Sequence, residues 1–266
     1  MSDTAADDGG VRLHRRLDGD RAIDLAIRRS GTGDGRPVLL VHGMGGDHTT
    51  WRRLASRLRD EGRPVVSYDQ RGHGLSSRGP YGLDALRDDL LAVLAEAGPS
   101  GRVDVVAHSL GAHVALRAVM AEPDRFGRLV LEEVPPMPRD AADVAEGIAP
   151  RASAWEAVLG VVDLIRDPRP LMRFDVTVAP SVQAAFDVPD PDWWAAVAGV
   201  RSPVLVVSGG DRSFLPPRHL RTLAGTLPAG RFLTIDAGHS VHRDRPDPFT
   251  RAVVAFLRGD PVGVRD

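Results

Sequence analysis

The chain has 266 residues, of which 42% are hydrophobic and 26% charged, and its 34 basic and 36 acidic side chains give a net charge of −2. This balance argues against a protein that binds nucleic acid or a membrane surface through a basic face. The chain has neither lysine nor cysteine, which excludes Schiff-base chemistry, thiolate catalysis, disulfides and cysteine metal sites.

The N-terminal segment and the apolar runs bear on location. Residues 1–10 are acidic and polar and lack the apolar stretch of a signal peptide, so we expect a disordered tail. No apolar run approaches the roughly 20 residues that span a bilayer. We therefore expect a cytoplasmic protein without a nucleic-acid or membrane partner. The sequence leaves a monomer and a homodimer equally open.

Short apolar runs alternate with amphipathic segments along most of the chain. Alternating polarity on either side of Asp18-Gly19-Asp20 predicts an antiparallel hairpin over 11–17 and 22–29. Apolar runs predict buried strands at 38–41, 65–68, 103–106, 129–131, 204–207 and 231–235. Helical spacing predicts helices at 83–97, 110–121, 216–227 and 246–257. This order predicts an α/β fold, a mostly parallel sheet with helices on both faces and the hairpin at its edge.

One segment interrupts this alternation. Residues 135–201 contain nine of the 21 prolines and no convincing buried strand, but include a helical pattern at 154–165. Because so long a structureless loop is uncommon, we predict a helical lid at 135–201 inserted into a core formed by 11–134 and 202–266. The lid's apolar side chains are candidates to line a substrate pocket, with packing of the lid onto the core as the other interpretation of its adjacent tryptophans. These candidates are Met172, Phe186, Trp193 and Trp194.

The sharpest motif is Ala107-His108-Ser109-Leu110-Gly111, which joins a predicted buried strand directly to a predicted helix. A serine in so tight a turn projects its hydroxyl above the sheet, and only small neighbours two residues away leave room for the backbone. The N–H groups at the start of the helix can stabilise a developing oxyanion. The alternative is a serine that only caps the helix.

Four motifs in this order resemble the α/β-hydrolase family, and the resemblance covers nearly the whole chain. They are the serine turn, with Ala107 where the family usually has glycine, His42-Gly43-Met44-Gly45-Gly46, Asp69-Gln70-Arg71-Gly72-His73-Gly74-Leu75-Ser76, and Ala237-Gly238-His239-Ser240. The resemblance implies that Ser109 is the nucleophile, that His239 is the base, and that the N–H groups of Met44 and Leu110 form the oxyanion hole. It implies no cofactor.

The places of the other histidines in the sequence predict their roles and bear on whether they bind a metal. His108 is expected to be buried in the serine turn, His42 to orient backbone, and His113 to pack or face solvent. His73 belongs to a structural turn, and His242 is too isolated in sequence to indicate a metal site. We therefore predict no metal.

The acid of the triad is the open position. The family usually places it after the strand that follows the lid, but there Arg212 occupies the expected position and Asp211 comes one residue early. The other placement is the end of the preceding strand, where Glu132 and Glu133 are adjacent. Neighbouring strand residues point to opposite faces, and register with the family favours Glu133, with Glu132 solvated. Asp211 remains the main alternative, and Glu132 and Asp236 are lesser ones.

The motifs together predict a serine hydrolase that cleaves an ester, lactone or thioester of a small-to-medium apolar substrate through an acyl-enzyme. Two other functions are compatible with the same residues. One is carbon–carbon bond hydrolysis, a lyase or a cyclase reaction in a biosynthetic pathway, and the other is a ligand-binding receptor or sensor on this fold.

Overall fold

The computed structural model describes residues 10–98, 101–148 and 172–262. Eight strands form one sheet with the order β1-β2-β4-β3-β5-β6-β7-β8. They are β1 (Arg12–Asp18), β2 (Arg21–Ser30), β3 (Val38–Val41), β4 (Val65–Tyr68), β5 (Val103–His108), β6 (Phe126–Glu132), β7 (Val204–Ser208) and β8 (Gly230–Thr234). Only the β1–β2 and β2–β4 pairs are antiparallel, so the predicted edge hairpin and the mostly parallel sheet are both confirmed.

Helices cover both faces of this sheet. In chain order the described helices are α1 (Arg52–Asp60), α2 (Leu83–Ala97), α3 (Ser109–Ala121), α4 (Ala141–Glu146), α5 (Val178–Phe186), α6 (Pro191–Ala198), α7 (Pro217–Thr226), α8 (Val241–Asp244) and α9 (Pro246–Arg258). Short 3-10 turns lie at His48–Trp51, Pro123–Arg125 and Gly210–Arg212. Within the described residues no helix is long and apolar enough to cross a bilayer.

The continuous apolar character of the parallel strands follows from burial on both faces. Along β3, Leu39 and Val41 pack into the hydrophobic cluster on one side of the sheet, whereas Val38 and Leu40 pack into the cluster on the other. This alternation is the two-residue period of a strand, and a sheet covered on both sides favours apolar residues at nearly every position of its central strands.

The segment between β6 and β7 contains α4, α5 and α6, which agrees with the expected helical character of 135–201. Trp193 of α6 stacks on His113 of α3, with ring centroids 5.5 Å apart and planes 5° from parallel. The helix expected at 154–165 and the tail at 1–9 lie outside the described residues. The role of 135–201 as a lid stays a prediction.

Parallel strands place their carboxyl ends along one edge of the sheet, where open α/β folds bind ligands. The segments that follow β3, β5, β6, β7 and β8 therefore all begin at this edge. The four sequence motifs and the candidate acids lie in these segments or in the loop after β4, and the fold brings several of them together.

Candidate active site

The serine turn joins β5 to α3 without an intervening loop. Ser109 is the first residue of α3, it is fully buried, and its φ is +51°. A positive φ is unfavourable for a residue with a side chain and is found mainly at functional sites. Gly111 is needed two residues later because a Cβ there would lie 2.3 Å from the backbone oxygen of His42. The turn thus holds the Ser109 hydroxyl in a conformation that the backbone alone would disfavour.

The turn after β3 packs directly against this serine. A Cβ on Gly43 would lie 3.2 Å from Cβ of Ser109 and 2.5 Å from Nδ1 of His108, so only glycine allows the approach. Met44 follows, and its N–H forms no hydrogen bond with a described residue. Leu110 is the second residue of α3, and its N–H is among the first four of a helix, which have no partner within the helix. The two predicted oxyanion donors are therefore the N–H groups of the residue after Ser109 and of the residue after Gly43, which contacts Ser109.

His239 comes from the loop that follows β8. Its Nε2 lies 2.9 Å from Oγ of Ser109, and we assign the hydroxyl as the donor to this nitrogen. The backbone oxygen of His239 accepts a hydrogen bond of 2.9 Å from Nε2 of His108. His239 is therefore held by two neighbouring residues: Ser109 contacts its ring, and His108 donates to its backbone oxygen.

Glu133 completes the hydrogen-bonded chain. Its Oε2 lies 3.2 Å from Nδ1 of His239, and its Oε1 accepts a bond of 2.5 Å from the N–H of Gly209. The hydroxyl of Ser213 donates to Oε2. The φ of Glu133 is also +51°, and with Ser109 it is one of two non-glycine residues at positive φ in the described chain. The two strained positions are thus the two ends of one Ser–His–Glu arrangement.

The alternative acids lie elsewhere. Asp211 is exposed in the 3-10 turn after β7, and Asp236 pairs with Arg212 at the surface. Glu132 was expected to be solvated, and this expectation is wrong, since the side chain is fully buried. Its carboxylate accepts hydrogen bonds from the N–H and Nδ1 of His242. The reason is that α8 folds over the end of β6 and covers the side of the sheet to which Glu132 points.

Two groups of side chains have the chemistry of metal ligands. In the part of the chain that the structure describes, His108, Glu132 and His242 place possible ligand atoms within 4.8 Å of one another, as do Asp47, His48 and Asp69. His242 is therefore not isolated, in contrast to the expectation from its position in sequence. In both groups the carboxylates already accept hydrogen bonds from histidine or backbone donors, so ordinary hydrogen bonding accounts for the clusters.

Burial dominates the electrostatics of the site. It raises the pKa of Glu133 to about 8, although the donors Gly209 and Ser213 act in the opposite direction. Burial, with a smaller effect of His242, lowers the pKa of His239 to about 3. The imidazole is therefore neutral at neutral pH, which is the form that can accept a proton from Ser109.

The four lid candidates occupy different environments. Trp193 and Phe186 are buried and both rings contact the ring of His113, which is the packing interpretation of Trp193. Trp194 is half-buried and its Nε1 donates to the backbone oxygen of Met137. Met172 is 79% exposed. Their role in a substrate pocket stays a prediction.

The sequence motifs did not indicate two aromatic rings beside these groups. Phe214 lies over His239 with ring centroids 4.1 Å apart. Phe174 contacts His73 at 4.7 Å, and Nε2 of His73 accepts the N–H of Gly45 in the turn after β3. Phe214 follows β7 in an irregular loop that has no periodicity to predict its orientation, and Ser213 was missed for the same reason.

Comparison with known proteins identifies the family of the chain. The model of the alpha/beta hydrolase family matches residues 38–252, and the chain belongs to this family. The sn-1-specific diacylglycerol lipase ABHD11 of Mus musculus is 25% identical to this chain, with 83% of this chain and 80% of that protein covered.

Two solved structures extend the comparison to nearly the full chain. A thermophilic esterase from Thermogutta terrifontis has a TM-score of 0.73 at 25% identity and covers 94% of this chain and 99% of its own. An enol-lactonase from Burkholderia xenovorans LB400 has a TM-score of 0.72 at 25% identity, with 89% and 97% covered. The expected family and fold class are confirmed.

Proposed function

We propose that the protein is a serine hydrolase that cleaves an ester, lactone or thioester bond of a small-to-medium apolar substrate through an acyl-enzyme. The observation that carries this proposal is the continuous chain from Oγ of Ser109 to His239 at 2.9 Å and from His239 to Glu133 at 3.2 Å. A nucleophile, a base and an orienting carboxylate in this order are the requirements of acyl transfer.

The chemistry follows from these positions. Oγ of Ser109 attacks the substrate carbonyl while Nε2 of His239 takes the hydroxyl proton, and the N–H groups of Met44 and Leu110 stabilise the oxyanion. His239 then gives the proton to the leaving group, which departs and leaves the acyl group on Ser109. Water, deprotonated by the same nitrogen, attacks the acyl-enzyme and releases the acid.

Glu133 has two functions in this scheme. As the acceptor for Nδ1 of His239 it fixes the tautomer in which Nε2 is free to take a proton, and it stabilises the imidazolium that forms. No described cation pairs with the Glu133 side chain before the reaction, so the positive charge that develops on His239 is the one that compensates the carboxylate. This interaction is stronger in the transition state than in the ground state, which is what accelerates a reaction.

The substrate class rests on the surroundings and on the relatives. Phe214 lies against the ring of His239, so an apolar group flanks the proposed base. Phe174 packs on His73, which accepts a hydrogen bond from the turn after β3. The matched proteins named as a diacylglycerol lipase, an esterase and an enol-lactonase act on ester-type bonds. An apolar carboxylic ester or lactone is therefore the substrate class that we propose.

The test is turnover of p-nitrophenyl esters of increasing acyl length, combined with covalent labelling by a fluorophosphonate and mass spectrometry. The wild-type protein should release p-nitrophenol and take up one label, on Ser109. Ser109→Ala should lose at least about 10⁴-fold in kcat and all labelling. Ser181→Ala, at an exposed position of α5, is the matched control and should behave as wild type.

Two results would contradict the proposal. Turnover that persists in Ser109→Ala would require a different nucleophile. Absence of turnover on esters, lactones and thioesters, with a ligand still bound by both wild type and Ser109→Ala, would instead indicate a receptor built on this fold.

A further inference from the structure

A second cavity lies away from the candidate active site, between α1 and the antiparallel edge of the sheet. It has a volume of about 380 Å³ and is lined by β2, β4, α1 and the 3-10 turn before α1. Side chains that carry a positive charge or a hydrogen-bonding group dominate its wall. They include Arg28, Arg52, Arg59, Ser30, Ser67 and His48. Neither Ser109, His239 nor Glu133 lines it.

The positive charge that Arg52 and Arg59 bring to this wall is not neutralised by an ion pair within the described chain. No aspartate or glutamate of the described chain lines the cavity. The Arg52 side chain forms no hydrogen bond or ion pair with any described residue, and the only such partner of the Arg59 side chain is the Ser30 hydroxyl, at 3.3 Å. Guanidinium groups stay charged at all relevant pH values, so both side chains can pair with an anion that enters the groove.

The nearest carboxylates are already occupied. Asp69 accepts from the N–H and Nδ1 of His48 and from the N–H of Leu75, and Asp47 accepts from the N–H and hydroxyl of Thr49. These bonds stabilise the turn that leads into α1. They leave Arg52 and Arg59, not the carboxylates, to face a ligand.

A hydroxyl in the cavity wall adds a neutral donor. Ser67 lines the cavity, and its Oγ forms no hydrogen bond within the described chain. The hydroxyl is therefore free to donate to a ligand in the groove. A ligand oxygen in the groove would satisfy this hydroxyl as well as the guanidinium groups.

We propose that this cavity binds a phosphate monoester, with Arg52, Arg59 and Ser67 as donors to its phosphate group. A dianion with several acceptor oxygens matches two planar guanidinium groups and a hydroxyl better than a single carboxylate does. The volume is in the range of small-molecule sites, which leaves room for an organic group attached to the phosphate. The site does not depend on the proposed hydrolase function.

The experiment is isothermal titration calorimetry with phenyl phosphate, at about 50 mM salt because screening weakens exposed charge interactions. We expect binding of one equivalent with Kd below about 1 mM. Arg52→Gln and Arg59→Gln should each raise Kd by about tenfold, the size of a lost charge-assisted hydrogen bond. Ser67→Ala should raise it less.

Two controls separate this site from its surroundings. Arg53 lies on the same helix but pairs with Asp247, so Arg53→Gln should leave Kd within about twofold of wild type. Ser109→Ala should also bind phenyl phosphate normally, because Ser109 does not line the cavity. Thermal unfolding of each variant verifies that it is folded.

The following results would overturn the proposal. One is no heat of binding up to about ten times the expected Kd. Another is binding that Arg52→Gln and Arg59→Gln leave unchanged, or that Ser109→Ala abolishes, since either places phenyl phosphate elsewhere. Tighter binding of citrate than of phenyl phosphate would assign the cavity to carboxylates and equally reject a phosphate site.

Discussion

Glu132 and Glu133 are adjacent in sequence and both are fully buried. Each bonds to a histidine of the segment after β8, but the two histidines have different neighbours. Glu133 bonds to His239, which contacts the buried serine hydroxyl. Glu132 bonds to His242, whose ring packs on Trp51 with centroids 4.5 Å apart. The strand β6 ends at Glu132 and Glu133 follows it at positive φ, so two neighbouring residues reach two different histidines.

Their electrostatics differ as well. Burial raises the pKa of Glu133 to about 8. Burial acts in the same direction on Glu132, but His242 and His108 outweigh it and lower the pKa of that carboxyl below its ordinary value. Glu132 is therefore compensated in the resting protein, whereas Glu133 is compensated fully only when His239 becomes charged. We therefore predict an anchoring role for the pair of Glu132 and His242 and a role in turnover for the pair of Glu133 and His239.

The largest expected effect concerns turnover. Glu133→Gln removes the charge that stabilises the imidazolium and allows the wrong tautomer of His239, so kcat for a p-nitrophenyl ester should fall by about 10³- to 10⁴-fold. Glu132→Gln should lower kcat by less than about tenfold, because His242 does not contact Ser109.

Asp211→Asn is the matched control, since Asp211 is exposed and does not contact His239. It should have wild-type kinetics. A larger loss of kcat in Glu132→Gln or in Asp211→Asn than in Glu133→Gln would reverse the division between the two glutamates.

The second effect is on stability. Glu132→Ala leaves His242 and its backbone N–H without their buried acceptor, and we expect the free energy of unfolding to fall by about 3 kcal/mol. Urea denaturation of Glu132→Ala, His242→Ala and the double variant measures it. The double variant should lose less than the sum of the two single losses. Additive losses would mean that the two side chains do not stabilise the fold as a pair.

The third prediction concerns His113, a buried histidine that bonds to a backbone oxygen, whereas His239 and His242 bond to glutamates. His113 is fully buried, bonds to the backbone oxygen of Pro135, and burial lowers its pKa to about 3. Between pH 6.5 and 3 the unfolded chain binds a proton that native His113 does not, so stability falls as pH falls. This one residue should contribute about 2 kcal/mol to the loss between pH 7 and pH 5.

His113→Phe keeps a ring against Trp193 and cannot titrate. Its free energy of unfolding should therefore fall by about 2 kcal/mol less than that of wild type between pH 7 and pH 5. Denaturant titrations at the two pH values give this difference directly, whatever constant cost the substitution has. Equal losses in the two proteins would show that His113 is protonated in the native state.

These contrasts also show what the sequence could predict. The parallel strands were predictable because strands buried on both faces are continuously apolar, as in β3. The positions of Ser109 and His239 were predicted from motifs, and Glu133 was preferred to Glu132 because of register with the family. Strand alternation itself does not reach Glu133, because β6 ends at Glu132 and Glu133 follows it at positive φ. Their catalytic roles stay predictions, although the fold does bring the three side chains of Ser109, His239 and Glu133 into one hydrogen-bonded chain.

What could not be predicted depends on contacts between segments distant in the chain. The burial of Glu132 results from α8, which is more than a hundred residues further along the chain. Ser213 and Phe214 lie in an irregular loop, where no periodicity tells which side chains point inward. The arginines of the second cavity come from β2 and α1, and only the folded sheet places them together.

The smallest effect is expected at Ser213, a positioning residue that acts through Glu133. Its hydroxyl donates to Oε2 of Glu133 and favours the charged carboxylate. Ser213→Ala removes this donor, which raises the pKa of Glu133 further and reduces the ionised fraction at pH 7. We expect kcat to fall about tenfold at pH 7 and to recover most of the loss near pH 9, above the pKa of about 8. Ser213→Thr keeps the hydroxyl and should restore the wild-type pH profile. A loss in Ser213→Ala that is equal at both pH values would mean that Ser213 only shapes the loop, because a purely structural defect has no reason to follow the charge of Glu133.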